Sequence, residues 1–103
     1  MYLAVRKYRT VEGDRKQLVQ SINSGFVPLI AKIDGFIDYY CLFTDDGALV
    51  SVSVYRDARG AEESVRAATQ WVAQNIAKYL PEKPEVISGE VFAHRSVEKQ
   101  KAA

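Results

Sequence analysis

Residues 36–55, FIDYYCLFTDDGALVSVSVY, read as two β-strands joined by a tight turn. The turn is centred on Asp46 and Gly47, a pair that favours hairpins because it tolerates left-handed backbone conformations. The second strand alternates three valines with serines and Tyr55, which is the period of a β-strand. The first strand instead carries large side chains at successive positions, so both of its faces need a cover. These residues predict an antiparallel hairpin in the middle of the chain.

The sequence before this hairpin predicts one strand and one interrupted helix. Residues 2–9, YLAVRKYR, are predicted to form the strand, and Asp14 is a suitable N-cap for the helix that follows. Gly25 and Pro28 are expected to kink or break this helix near residue 24, with Pro28 in the first turn of a second short segment. Apolar residues at three- or four-residue spacing predict one buried helix face: Leu18, Ile22, Phe26, Ile30 and Ile33.

The sequence after the hairpin predicts a long helix and a final strand. Residues 57–60 lead into the helix, which Pro81 is expected to end. The last strand is expected over residues 85–95. Apolar residues with helical spacing predict the face of the helix that packs against the sheet: Ala61, Val65, Ala68, Val72, Ile76 and either Tyr79 or Leu80.

The resulting order, β-α-β-β-α-β, is typical of an α+β fold of the ferredoxin-like type. Residues 1–95 are predicted to form one domain, with a four-stranded antiparallel sheet and two helices on one face. Residues 96–103 are expected to form a frayed C-terminal tail, because they contain little to bury.

Two helices cover only one face of such a sheet. We expect the valines of the hairpin, together with Leu3 and Val5, to face the helices. A second copy of the chain is expected to cover the other face, which gives a dimeric α/β barrel. A monomer that leaves this face exposed is the alternative. The expected dimer face mixes aromatic and polar residues: Tyr2, Arg6, Tyr8, Ser51, Ser53, Tyr55, Ser88, Glu90, Phe92 and His94.

The composition argues against several classes of function. The chain has 103 residues, 48% hydrophobic and 26% charged, and its net charge of +1 provides no strong field for nucleic acid or an anionic membrane. No apolar run reaches the length of a membrane span, and the first ten residues lack the apolar core of a secretory signal. The only cysteine, Cys41, indicates a reducing compartment, so a cytoplasmic location is expected. One histidine and one cysteine are too few for a structural zinc site.

Two stretches of the sequence resemble a known group of proteins. They are DGFIDYY, residues 34–40, and SVSVYRDARGAEESVRAATQWVAQNIAKYLPEKPEVISGEV, residues 51–91. The chain resembles the dimeric α/β-barrel superfamily, and within it small bacterial proteins similar to the antibiotic biosynthesis monooxygenases. The resemblance implies the fold, a homodimer, and a pocket between the sheet and the helices. The activity that it implies is cofactor-independent monooxygenation, so no cofactor is expected. Haem-degrading members carry an asparagine on the first strand, which this chain lacks.

The sequence offers six candidate site residues. His94 is the candidate catalytic residue because an imidazole titrates near neutral pH, and its alternative is an exposed side chain near the chain's end. Trp71 and Asn75 lie one helical turn apart, where they either contact a ligand or belong to ordinary packing and solvent-exposed surface. The candidate ligand-binding residues are Trp71, Asn75, Tyr40, Tyr8 and Arg6.

Arg6 and the tyrosines each allow two interpretations. A buried arginine requires an acidic partner, and Glu90 on the neighbouring last strand is the expected one, with Asp38 as the second candidate. We therefore expect a structural ion pair in preference to an anion-binding site. The strand tyrosines suit a half-wet pocket and a dimer interface equally well.

The sequence favours two functions, and haem binding is a third hypothesis, which the missing asparagine on the first strand argues against. The first is a homodimer that binds an aromatic metabolite and oxygenates it without a cofactor. The second is a non-catalytic dimeric module for binding or scaffolding, which the lack of an evident acid–base pair favours.

Overall fold

Four antiparallel strands form one sheet in the computed structural model, which describes residues 1–97. The strands are β1 (Tyr2–Tyr8), β2 (Phe36–Phe43), β3 (Leu49–Tyr55) and β4 (Glu85–Glu90), in the spatial order β2-β3-β1-β4. This arrangement confirms the ferredoxin-like α+β fold that the element order predicts. Most of the predicted tail over residues 96–103 lies outside the described residues.

Two helical segments cover one face of this sheet. The first consists of α1 (Arg15–Ser21), a π turn (Ile22–Phe26) and α2 (Val27–Ala31). The second consists of α3 (Ala58–Asn75) and a 3₁₀ turn (Ala77–Tyr79). Asp14 caps α1 as expected, because its carboxylate accepts hydrogen bonds from the amides of Lys16 and Gln17. Within residues 1–97, no helix combines the length and apolarity that crossing a membrane requires.

The expected interruption of the first helix is a π turn and not a break. It contains Gly25, where an added Cβ would lie 2.8 Å from the Trp71 ring. A side chain at this position would therefore push the two helical segments apart. Pro28 lies in the first turn of α2, as predicted, where a missing amide hydrogen bond costs little.

The structure reverses the expected assignment of the two sheet faces. Arg6 and Tyr8 are buried beneath the helices, whereas Val50 and Val52 lie on the open face and are only partly buried. Alternation in the sequence divides the side chains of a strand into two sets, but it does not indicate which set faces the helices. The set beneath the helices has small residues at its centre, which let the helices approach closely: Ala4, Ser51 and Ser53.

A β-bulge on β2 changes which side chains of this strand face the helices. Phe36 pairs with Tyr55 and Asp38 pairs with Val54, so Ile37 is an extra residue in β2. The bulge shifts the alternation, and beyond it Tyr39 points towards the helices. Tyr40 lies on the opposite face, 56% exposed.

The last strand is shorter than predicted. β4 ends at Glu90, whereas the sequence pattern suggested a strand up to residue 95. The Val91 amide still donates a hydrogen bond to the Met1 carbonyl oxygen at 2.9 Å, but the described residues after it have no regular structure. His94 therefore lies beyond the sheet, in an exposed segment without regular structure.

The contact between α3 and the sheet leads to a test of the packing. An added Cβ at Gly60 would meet the Asp34 carbonyl oxygen at 2.9 Å and the Tyr55 ring at 3.0 Å. Tyr55 has no room to move, because it is fully buried and its hydroxyl donates to the Ile30 carbonyl oxygen at 3.2 Å. We expect Gly60→Ala to lower the free energy of unfolding by about 1–3 kcal/mol, although alanine is the better helix former.

Urea denaturation of purified variants measures this effect. Gln70→Ala is the control, because Gln70 is exposed on the same helix, and it should change stability by less than about 0.5 kcal/mol. A stabilised Gly60→Ala variant would show that the close approach of α3 to the sheet is wrong.

Candidate functional site

A small cavity lies between the sheet and the helical layer. Its volume is about 10 Å³, which is room for roughly one water molecule. β1, β2, β3, the π turn, α3 and the residues that follow α3 all contribute to its wall. The lining comprises three polar residues (Arg6, Cys41 and Ser51), four aromatic residues (Tyr8, Phe26, Tyr39 and Trp71) and five aliphatic residues (Ile22, Leu49, Val72, Ile76 and Leu80).

One cross-strand row carries the polar part of this cavity. Arg6 on β1 is directly opposite Ser51 on β3, and Ser51 is directly opposite Cys41 on β2. Arg6 is only 3% exposed, and within the described residues its Nε and Nη1 atoms have no hydrogen-bond partner. The hydroxyls of Ser51 and Ser53 are likewise buried without a partner in this part of the chain.

The expected ion pair of Arg6 is absent from the described residues. Arg6 is opposite Val86 on β4, whereas Glu90 is opposite Tyr2 and lies 3.8 Å from the N-terminal amine. The four-residue offset along β4 places the Glu90 carboxylate out of reach. Asp38 is exposed and belongs to the other sheet face, so it does not serve as the partner either.

An aromatic ring covers the guanidinium group. The Cζ atom of Arg6 lies 5.3 Å from the centroid of the Phe26 ring, a distance at which a cation–π interaction is favourable. The Phe26 centroid is in turn 5.4 Å from that of Trp71 and 5.7 Å from that of Tyr39. Phe26 therefore lies at the centre of a group of three aromatic rings on one side of the cavity.

No lining side chain is a good proton acceptor at neutral pH. Burial raises the pKa of Tyr39 well above its usual range, and the neighbouring Cys41 adds to this shift. Burial also raises the pKa of the Cys41 thiol, so this group stays protonated and is a poor nucleophile. Cys41 as a residue is exposed on the edge strand, although it lines the cavity. The cavity thus combines one positive charge with neutral walls.

The structure brings together three of the six candidate site residues. Arg6, Tyr8 and Trp71 line the cavity. Tyr40 lies on the opposite sheet face because of the bulge in β2. These positions do not test the roles of the residues, which stay predictions.

The two remaining candidates lie outside the cavity. Asn75 is exposed on α3 and donates a hydrogen bond back to the Trp71 carbonyl oxygen at 2.9 Å. His94 is exposed beyond β4 and lies 3.1 Å from the Ser96 hydroxyl through its Nε2 atom. Its catalytic role stays a prediction to which the geometry of this chain adds no support.

Sequence reasoning missed Phe26, Tyr39 and Ser51 as site residues. Phe26 was assigned to the core because it fits the apolar spacing of the first helix. The sequence feature that points to this position is the neighbouring Gly25, since a glycine within a helical pattern often marks the close approach of another element. Ser51 gave no signal, because its importance follows from its position opposite Arg6.

A surface hollow adjoins the cavity at the edge of the sheet. Its volume is about 140 Å³, and it shares Ile22, Cys41 and Leu49 with the cavity. Val19 and Asn23 form its outer rim, and both are exposed. The hollow therefore lies beside the Arg6 row, at its Cys41 end.

Three solved structures are similar to this chain over nearly its whole length. The monooxygenase from the gene ActVA-Orf6 of Streptomyces coelicolor, in complex with Nanaomycin D, has a TM-score of 0.71 at 18% identity, covering 94% of this chain and 92% of that one. Rv0793 from Mycobacterium tuberculosis has a TM-score of 0.68 at 15% identity, with 92% and 98% covered. SnoaB, a cofactor-independent oxygenase from Streptomyces nogalater, has a TM-score of 0.60 at 18% identity, with 95% and 97% covered.

These similarities establish the fold. The chain has the architecture of proteins like the antibiotic biosynthesis monooxygenases, as the sequence resemblance predicts. No family model matches the sequence, and no curated protein matches it.

The unpaired guanidinium leads to a prediction about stability. Burying a charged group without hydrogen-bond partners costs free energy, and methionine fills a similar volume without that cost. We expect Arg6→Met to raise the free energy of unfolding by about 1 kcal/mol, after the lost cation–π contact with Phe26 is included. Urea denaturation in the absence of ligand measures this change.

Arg9→Met is the matched control for this experiment. Arg9 is exposed, and its ion pair with Glu85 spans 3.5 Å at the surface, so its loss should change stability by less than about 0.5 kcal/mol. Destabilisation of Arg6→Met by more than about 1 kcal/mol would reveal a stabilising partner for this guanidinium.

Proposed function

We propose that this protein is a homodimer that binds a small aromatic metabolite in the cavity beneath its helices and oxygenates it without a cofactor. The observation that carries this proposal is the buried, unpaired Arg6 in a cavity with walls of Phe26, Tyr39 and Trp71. Such a cavity suits a flat, electron-rich ring with a polar substituent. The fold is that of two oxygenases, one in complex with Nanaomycin D and one described as cofactor-independent, which supports this choice of chemistry.

The proposed reaction converts a phenol into a quinone. Molecular oxygen takes four electrons from the ring, and one oxygen atom replaces a ring hydrogen as a new carbonyl group. The second oxygen atom leaves as water, with the phenolic proton and the displaced ring hydrogen. The protein's part is to bind and orient the ring and to exclude bulk water, since the neutral Tyr39 and Cys41 supply no strong base.

Ligand entry from the surface hollow requires the cavity to widen. The cavity has room for about one water molecule, whereas the hollow beside it is more than ten times larger. The π turn forms part of both walls through Ile22. Single π turns inside α-helices occur frequently at functional sites.

The open face of the sheet supports the dimer. Tyr40, Leu42 and Ile87 are 56%, 46% and 63% exposed on this face, and Val50 and Val52 lie between them. An apolar sheet face of this kind normally marks an interaction surface. A second copy of the same face is the occupant that we propose, because closed two-fold pairing is the commonest assembly of small domains.

The first prediction from this proposal concerns turnover. The purified protein should consume one molecule of oxygen per quinone formed from a member of a naphthol panel, without added flavin, nicotinamide or metal. Trp71→Ala should lower kcat/KM at least about tenfold, because it removes ring contacts and opens the cavity. An oxygen electrode and quinone absorbance measure the reaction.

Gln74→Ala is the control for Trp71→Ala, since Gln74 is exposed on the same helix. His94→Ala tests the candidate catalytic base in the same assay, and a complete loss of turnover would assign the chemistry to the segment after β4. Equal turnover by the parent and Trp71→Ala would show that the cavity is not the reaction site.

The second prediction concerns the dimer. Val52→Glu places like charges opposite each other at the centre of the proposed interface, so it should convert a dimeric protein into a monomer at micromolar concentration. Sedimentation velocity measures the masses. Thr69→Glu is the control, because Thr69 is exposed on α3, on the other side of the molecule. A monomeric parent protein would remove the homodimer from the proposal.

A non-catalytic binding module is the second candidate function. The absence of a proton acceptor among the lining residues favours it. Tight binding of naphthols without oxygen consumption, in the same panel, would support this function over the oxygenase.

A further inference from the structure

We infer that Arg6 and Ser51 form a recognition site for an anionic oxygen attached to an aromatic ring, either a phenolate or an aromatic carboxylate. The inference deepens the proposed function, since it uses the same cavity and names the chemistry of the ligand group that enters it. It is independent of whether the bound ring is oxygenated.

The first argument is the missing counter-charge of Arg6. A guanidinium is always ionised at neutral pH, and burial of an ion without an opposite charge or hydrogen bonds is costly. Arg6 is 3% exposed, and no carboxylate of residues 1–97 pairs with it. A negatively charged ligand would remove this cost. The free energy that is recovered would favour binding of the ligand.

The second argument is the geometry of the Phe26 contact. The ring covers the guanidinium at 5.3 Å and interacts with its charge. It offers no lone pair to the Nε and Nη1 hydrogen atoms, which remain without acceptors in the described part of the chain. The site therefore lacks oxygen acceptors, and a ring contact does not replace them.

The third argument is the second donor beside Arg6. Ser51 is directly opposite Arg6 in the sheet, and its hydroxyl is also buried without a hydrogen bond of normal length in residues 1–97, with Tyr39 as its polar neighbour. A hydroxyl can donate to the same oxygen that receives the guanidinium hydrogen bonds. One water molecule fits in the cavity, but it brings no negative charge and leaves the guanidinium uncompensated.

The side chains around Arg6 and Ser51 indicate that the ligand contains an aromatic ring. Phe26, Tyr39 and Trp71 line the cavity next to Arg6, and Tyr39 itself stays neutral because burial raises its pKa. A flat ring would contact these side chains, while its substituent reaches the Arg6 row. The positive charge also stabilises the ionised form of a bound phenol relative to its neutral form. The site then selects phenolate without a general base.

Binding of 4-nitrophenol tests this inference directly, because the phenolate is coloured and the phenol is not. Under nitrogen, the apparent pKa of 4-nitrophenol should fall when it binds to the parent protein. Arg6→Met should weaken its binding at neutral pH by about 10-fold or more, the loss typical of a charge-assisted hydrogen bond, and should abolish the pKa shift. Nitrobenzene, the neutral probe, should bind both proteins within about twofold.

Two further variants and one competitor complete the experiment. Arg6→Lys should keep part of the pKa shift because it keeps the charge, and Ser51→Ala should weaken 4-nitrophenolate binding with little effect on nitrobenzene. Benzoate tests which class of compound carries the anionic oxygen. Competition of benzoate with 4-nitrophenol would show that aromatic carboxylates bind at the site, and a lack of competition would restrict the site to phenolates.

The inference is overturned if 4-nitrophenolate binds no better than nitrobenzene, or if Arg6→Met binds it as the parent does. An Arg6→Met variant that fails to fold would leave Arg6→Lys and Ser51→Ala to decide the question. Anaerobic binding without aerobic turnover would contradict the oxygenase and keep the anion site, so the two proposals fail separately.

Discussion

The Arg6 guanidinium lies against the Phe26 ring, between the sheet and the helices, with no carboxylate beside it. Much of the surrounding structure makes room for this contact. Ser51 and Ser53 are small, so the long arginine side chain fits above the centre of the sheet. The π turn carries Phe26, and Gly25 next to it lets Trp71 approach the same ring. A protein that only needed a stable core would place apolar side chains at this point.

In the proposed function, the arrangement trades stability for recognition. Unpaired polar atoms at the bottom of a cavity are unfavourable in the free protein, and they become favourable when a ligand supplies the missing acceptors. The buried side-chain atoms without partners in residues 1–97 all belong to Arg6, Ser51 and Ser53, whose strands are direct neighbours.

In the proposed function, the two sheet faces have different roles. The face beneath the helices carries the cavity, and the opposite face carries partly buried valines and exposed Tyr40, Leu42 and Ile87. β3 contributes to both, because its serines point one way and its valines the other. A change of register by one residue would exchange these roles, so the bulge at Ile37 in β2 has consequences for both faces.

Local patterns in the sequence determined the elements of this protein. The hairpin turn, the Asp14 cap, the interruption near Gly25 and the apolar faces of the helices all depend on neighbours within a few residues, and each is present as expected. Tertiary structure alone decided which sheet face lies beneath the helices, which of Tyr39 and Tyr40 enters the cavity, and that Arg6 has no ion-pair partner. The physical reason is that alternation along a strand is symmetric: it separates two sets of side chains, and only the packing of distant segments selects the set that is buried.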